Sequence, residues 1–151
     1  MAHDFKKHPE LKNGQLEFYY FESPHIQITQ DFKARVTKVI DGDTVKVQVD
    51  FRDFEFPIRF ANTAAPELSE EGGEASRSWL ENELMNEEIF VKLAKARVGK
   101  FGRILGEIIH MGRNMNNLSL DLQYSIPFSE KKRAAIPSFG KQLKNMEKQW
   151  A

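Results

Sequence analysis

The chain has 151 residues with no cysteine, and its 22 basic and 22 acidic side chains cancel to zero formal charge. That length suits one domain with a core of its own, and neither a disulfide nor a thiolate metal site can form. No apolar run reaches the roughly 18 residues of a membrane span, and there is no global electrostatic pull toward nucleic acid. The charges are nevertheless uneven. Glu67, Glu70, Glu71, Glu74, Glu81, Glu83, Glu87 and Glu88 crowd one segment, and Lys131, Lys132, Arg133, Lys141, Lys144 and Lys148 crowd the other end. The basic end suits either phosphate contact or a solvated helix. Residues 1–8 lack the apolar stretch of a signal peptide, so an intracellular location is the expectation, with secretion left open if the chain has been trimmed.

In chain order, residues 1–31 form an N-terminal extension. Leu16-Glu17-Phe18-Tyr19-Tyr20-Phe21 is aromatic and strand-like, Ser23-Pro24 breaks it, and Ile26 to Thr29 alternates, which predicts a strand pair. Such a pair is suited to an added sheet edge, a substrate flap or a homodimer contact. Arg35 to Phe51 reads as a long strand region interrupted at Asp41-Gly42-Asp43, where Gly42 is expected to supply a positive φ. Arg52-Asp53 reads as a hairpin tip, and Phe54 to Phe60 as the returning strand, with Pro57 marking an edge or bulge. A loop follows to Gly73. Glu74 to Met85 carries a helical apolar face of Ala75, Trp79, Leu80 and Leu84. Ile89 to Leu93 and Arg103 to His110 read as strands on either side of a basic loop, Lys95 to Lys100. Asn116 is expected to cap a short helix through Leu122, and Ser138 to Trp150 to form a last helix in a basic tail, 129–151. Five main strands with an interposed helix predict a mainly β domain with some helix, over 32–128, built as a small, partly closed antiparallel barrel with helices packed on it.

Several polar residues sit where core packing does not require them. Asp41 and Asp43 flank a glycine between Val/Ile strands. They fit either an Asp-Gly turn or oxygen ligation of a hard cation. Arg59 lies between Ile58 and Phe60, and its planar fork of donors matches phosphate oxygens. Glu67, after Pro66 on a loop, is a candidate general base on water. In Lys100-Phe101-Gly102-Arg103, Arg103 is a candidate second cation for a phosphate, and Phe101 a stacking surface for a base.

The ordered combination is more specific than its parts. Ile40-Asp41-Gly42-Asp43-Thr44-Val45, then Arg59, then Ala65-Pro66-Glu67, then Gly73-Glu74-Ala75-Ser76 and Lys100-Phe101-Gly102-Arg103 together resemble the staphylococcal nuclease (thermonuclease) family over roughly residues 32–128. The resemblance implies a five-stranded OB-type barrel capped by about three helices, and Ca²⁺-assisted hydrolysis of DNA or RNA phosphodiesters, with Mg²⁺ or Mn²⁺ as alternatives. It implies that Asp43 and the backbone carbonyl of Ala65 are metal ligands. It also implies that Arg59 and Arg103 stabilise the charged phosphoryl group, that Glu67 is the general base, and that Lys100 and Phe101 hold the substrate's terminal phosphate and base.

Ala64 departs from that pattern. The family has an aspartate there, the second metal carboxylate, and a methyl cannot replace it. Three explanations stand side by side: an engineered Asp→Ala change that inactivates the enzyme; a natural residue with Asp41 or Asn62 helping to hold the metal; or a non-catalytic OB module that binds single-stranded nucleic acid or a protein partner. Survival of Asp43, Arg59, Glu67 and Arg103 favours nuclease ancestry with a weakened metal site. Gln123 stands where the family often has a helix-closing glycine, so a different helix end is expected, and Tyr124 and Phe128 are the candidate aromatics for packing on a nucleotide.

Overall fold

The computed structural model describes residues 3–99 and 102–129. The chain opens with helix α1 (Asn13–Tyr19) and a 3₁₀ turn (Tyr20–Glu22), then runs β1 (Phe32–Asp41), β2 (Thr44–Gln48), β3 (Phe56–Phe60) and β4 (Thr63–Ala64). Helix α2 (Gly73–Leu84) leads to β5 (Glu88–Val98), β6 (Ile104–His110), β7 (Arg113–Asn114), α3 (Met115–Asp121) and β8 (Ile126–Pro127). Five strands in the order β3-β2-β1-β5-β6 close into an OB-type barrel, because β3 also pairs with β6 in parallel, Ile58 opposite Ile104 and Phe60 opposite Gly106.

Local chemistry accounts for the closure. β1 shifts register twice against β2, between Val36 and Lys38 and between Val39 and Asp41, and such bulges bend a strand. In β6 a Cβ at Gly106 would lie 2.8 Å from Val91 Cγ1 and 3.0 Å from the Lys92 carbonyl, so only glycine lets β6 press this closely on β5. Pro57 precedes the first parallel pair at Ile58, so its missing N–H costs no bond to β6. Val36, Val45, Val47, Ile58, Phe60, Val91, Ile104 and Ile108 fill the interior, and α2 lays Leu80 and Leu84 on the same core. Among the described residues no helix is long and apolar enough to cross a membrane.

The N-terminal strand pair expected from the sequence is not formed. Leu16 to Tyr19 are helical, and Ile26 to Thr29 lie outside any strand. The high β propensity of aromatic residues reflects packing on a pleated surface, and none is offered here: Phe18 and Phe21 are 73% and 94% exposed. The helix is instead nucleated by its own start. The Lys12 N–H donates to Gln15 Oε1 at 3.0 Å, and Asn13 ties to the Lys95 carbonyl and to Arg97 Nε. The sheet edge that such a strand pair would offer is therefore absent among the described residues.

Side chains brace the extension where a ladder was expected. Glu10 is buried against both Arg52 and Arg97, and its Oε2 accepts the Ile28 N–H at 3.1 Å. Arg52, read from sequence as a hairpin tip, is 7% exposed and lies over the rings of Phe54 and Phe56 at 4.9 and 4.7 Å. Its polar end follows Glu10 inward, which no local pattern discloses.

Three smaller expectations also change. β5 continues through Val98, so Lys95 belongs to a strand and not to a loop. Asn114 caps α3 by accepting the Asn117 N–H, while Asn116 is buried and bonds Ala61, Gly106 and Ile108. Gln123 adopts φ 65°, the left-handed cap that glycine would favour, so α3 ends in that geometry without one. The expected tail helix, Ser138 to Trp150, lies outside the described residues.

Candidate active site

The Asp41-Gly42-Asp43 turn joins β1 to β2. Gly42 is not in a positive-φ conformation, contrary to expectation. Its role is clearance: a Cβ there would sit 1.9 Å from Ser76 Oγ and 2.7 Å from Ala65 Cβ. The missing side chain lets the turn abut both the first turn of α2 and the Ala64-Ala65-Pro66-Glu67 loop. Asp41 Oδ1 accepts the Asp43 N–H at 3.0 Å and fixes the turn.

Asp43 points into this junction and is 5% exposed. Its Oδ1 accepts from Thr44 Oγ1 at 3.0 Å. Its Oδ2 accepts the Ala65 N–H at 2.8 Å and pairs with Arg59 Nη1 at 3.2 Å. Burial pushes the carboxyl up to about 7. The hydrogen bond and charge of Asp41 push the same way, while Arg59 and the Ala65 N–H oppose them. A carboxyl whose folded pKa exceeds its unfolded 3.8 stabilises the fold fully below 3.8 and loses that contribution as pH rises to about 7. In EDTA, Asp43→Asn is therefore expected to gain stability relative to the parent between pH 4 and 7, by up to about 4 kcal/mol. Urea midpoints across that range measure it, and a constant difference would refute the assignment.

Arg59 comes from β3, where alternation puts Ile58 and Phe60 in the core and Arg59 outside. Its Nη1 also donates to the Phe60 and Thr63 carbonyls at 2.9 Å each, and its guanidinium lies 6.0 Å from the Phe128 ring centre. Glu67 is exposed and follows the buried Pro66. Arg103 immediately precedes β6 and is half-buried, and its Nε is buried with no hydrogen-bond partner among the described residues.

Asp41, Asp43, Thr44, Arg59, Glu67, Arg103 and Phe128 line one cleft of ≈ 1150 Å³. Ala65 lies against it through its N–H on Asp43. Ala64 is completely buried in β4, opposite Ile126 of β8. Tyr124 stacks on Trp79 at 4.9 Å, so packing on α2 occupies a face that was a candidate for a nucleotide. Lys100 and Phe101 lie outside the described residues. Sequence reasoning missed Thr44, whose hydroxyl holds Asp43, and the cleft lysines Lys12, Lys92 and Lys95. Alternation of exposed and buried residues from Glu88 to Lys92 was the available signal for Lys92, whereas the register irregularity between Leu93 and Val98 that precedes the next paired residue leaves no such signal for Lys95.

A hard divalent cation fits this donor set in part. Asp41 and Asp43 are oxygen donors in hydrogen-bond contact, and the burial that raises Asp43 is a penalty that a cation would relieve. Among the described residues, no group of three or more His, Cys, Asp or Glu side chains could hold a metal ion, and position 64 adds only a methyl.

The sequence is similar to a micrococcal nuclease from Shigella flexneri. The two are 31% identical over 78 residues, which make up 52% of this chain and 42% of that nuclease. The match thus spans about two fifths of the curated relative's length. No protein-family model matches the chain.

Proposed function

We propose that this domain is a metal-dependent nuclease that hydrolyses DNA or RNA phosphodiester bonds, with a metal site weakened by Ala64. The observation that carries the reading is the arrival in one cleft of Asp43, Arg59, Glu67 and Arg103, which come from four separate places in the chain. The partial similarity to a micrococcal nuclease supports it.

In this mechanism Arg59 and Arg103 grip the non-bridging oxygens of the reacting phosphate and balance the charge that builds on them. Glu67 accepts a proton from the attacking water as its oxygen bonds to phosphorus. The P–O bond to the leaving sugar opens, and that oxygen is protonated from solvent. Asp43, Asp41 and the Ala65 carbonyl are the groups that would hold Ca²⁺, Mg²⁺ or Mn²⁺. Such an ion supplies further charge neutralisation at the phosphate. The full burial of Ala64 opposite Ile126 favours a second reading, a module that binds single-stranded nucleic acid without cutting it.

Digestion of labelled DNA and RNA oligonucleotides with each metal separates the two. Ala64→Asp is expected to raise cleavage at limiting Ca²⁺ by about tenfold or more, since even outer-sphere partners of a metal change affinity or activity about 10–100-fold. Without metal the same change adds a second buried carboxylate beside Asp43 and lowers stability. Cleavage by neither protein in any metal would overturn the enzyme reading and leave the binding module.

A further inference from the structure

We propose that Lys12, Lys92 and Lys95 form a second phosphate-holding wall, which carries single-stranded nucleic acid across β5 and away from the reacting phosphodiester. This inference rests on the nuclease reading and adds to it the length and form of the substrate.

The cleft's ≈ 1150 Å³ is larger than the roughly 300–1,000 Å³ of a small-molecule site, so one phosphodiester fills only part of it. The strand register shows where the rest leads. Arg59 stands beside Leu105 of β6, and Glu107, two residues along β6, stands opposite Lys92 of β5. Arg59, Leu105, Glu107 and Lys92 alternate with the buried core positions and so share the barrel's outer face. β5 is two strand spacings, about 10 Å, from β3, and a nucleotide chain leaving Arg59 across this face reaches Lys92, while Lys95, in the irregular stretch after Leu93, lines the same cleft. Beside the lysines, Ala94, Ala96 and the partly buried Leu93 line the cleft with low apolar surface suited to unpaired bases.

Lys12 reaches the same wall from the N-terminal extension. Asn13 donates to the Lys95 carbonyl at 3.3 Å and accepts from Arg97 Nε at 2.9 Å, and the buried Glu10–Arg97 pair anchors the segment just before it. The extension therefore delivers a cation to the cleft. Among the described residues no carboxylate forms an ion pair with Lys12, Lys92 or Lys95, whereas the surface arginines Arg77 and Arg113 each hold glutamates. Glu107 is the acidic member of the wall, and Asn114 Nδ2 donates to its Oε2 at 3.3 Å.

The test is fluorescence-anisotropy binding in EDTA, with salt titration, of an oligothymidylate about eight nucleotides long and of the dinucleotide pTpT. Each lost single-strand phosphate contact removes about 0.7 from the slope of log affinity against log salt, so Lys12→Ala combined with Lys95→Ala should flatten it by about 1.4. Octamer binding should weaken about tenfold while pTpT binding is unchanged. Lys33→Ala, on β1 and outside the cleft, should alter neither. An unchanged octamer slope, or equal losses for octamer and dinucleotide, overturns this wall and leaves the nuclease reading standing. A parent protein that does not bind the octamer likewise overturns the wall, while the nuclease reading is decided by cleavage in the presence of metal.

Discussion

Replacing Arg59 with alanine is expected to slow phosphodiester cleavage by about 10³-fold or more, the range seen when a preorganised donor or an arginine finger is removed from a phosphoryl or oxyanion site. The effect is large because the residue has two duties. Within the described residues its Nη1 donates to the Phe60 and Thr63 carbonyls and pairs with Asp43, so Nε and Nη2 remain to donate to a phosphate. The same guanidinium is the only positive charge among the forces that hold Asp43 down against burial and Asp41. Its loss removes a phosphate donor and drives Asp43 further toward its protonated form, which suits neither metal nor substrate. Arg59→Lys keeps the charge and loses the fork, so it should recover only a small part of the rate. Single-turnover cleavage of a labelled oligonucleotide measures both. A loss of less than tenfold in Arg59→Ala would place the arginine outside the chemistry.

Truncating Glu10 is expected to have the largest effect on stability. Glu10→Ala should lower unfolding free energy by about 3–5 kcal/mol, because removing one partner leaves a buried charge uncompensated. Here two guanidiniums depend on a single carboxylate. Burial already pushes Arg97 below its ordinary value, with Glu10 opposing that shift. Arg52 Nε and Nη1 and Arg97 Nη2 are buried and already without hydrogen-bond partners among the described residues. Glu10→Gln keeps the shape and some hydrogen bonding and should lose less. Urea unfolding gives the comparison, and a change below about 1 kcal/mol, the ceiling for an exposed pair, would mean that the cluster is solvated. Since Lys12 follows Glu10 closely, partial release of the extension should weaken octamer binding as well.

The barrel was legible because its strands are written in local alternation. Val45, Val47, Ile58, Phe60, Ile104 and Ile108 repeat with a period of two, and that pattern places Arg59 outside the core without any knowledge of the fold. The candidate site was legible for a different reason: Asp43, Arg59, Glu67 and Arg103, which line one cleft, keep an order and spacing that resemble a known family. The N-terminal extension carried neither kind of signal. Its aromatic run has β propensity, yet Glu10 pairs with Arg52 and Arg97, 42 and 87 residues away, and that long-range pairing fixes where the segment lies. Lys12 was invisible for the same reason. Gly42 was read as a conformational device, and its true constraint is the approach of Ser76 and Ala65, both distant in sequence.

The central claim is that Arg59 and Arg103 grip one phosphate together. A double-mutant cycle on cleavage and on pTpT affinity, with Arg59→Lys, Arg103→Lys and the combined variant, tests it most directly. Residues acting as a unit give strongly non-additive effects, so the second substitution should cost far less than it does alone. Fully additive losses, or a cleavage rate indifferent to either change, would contradict the claim.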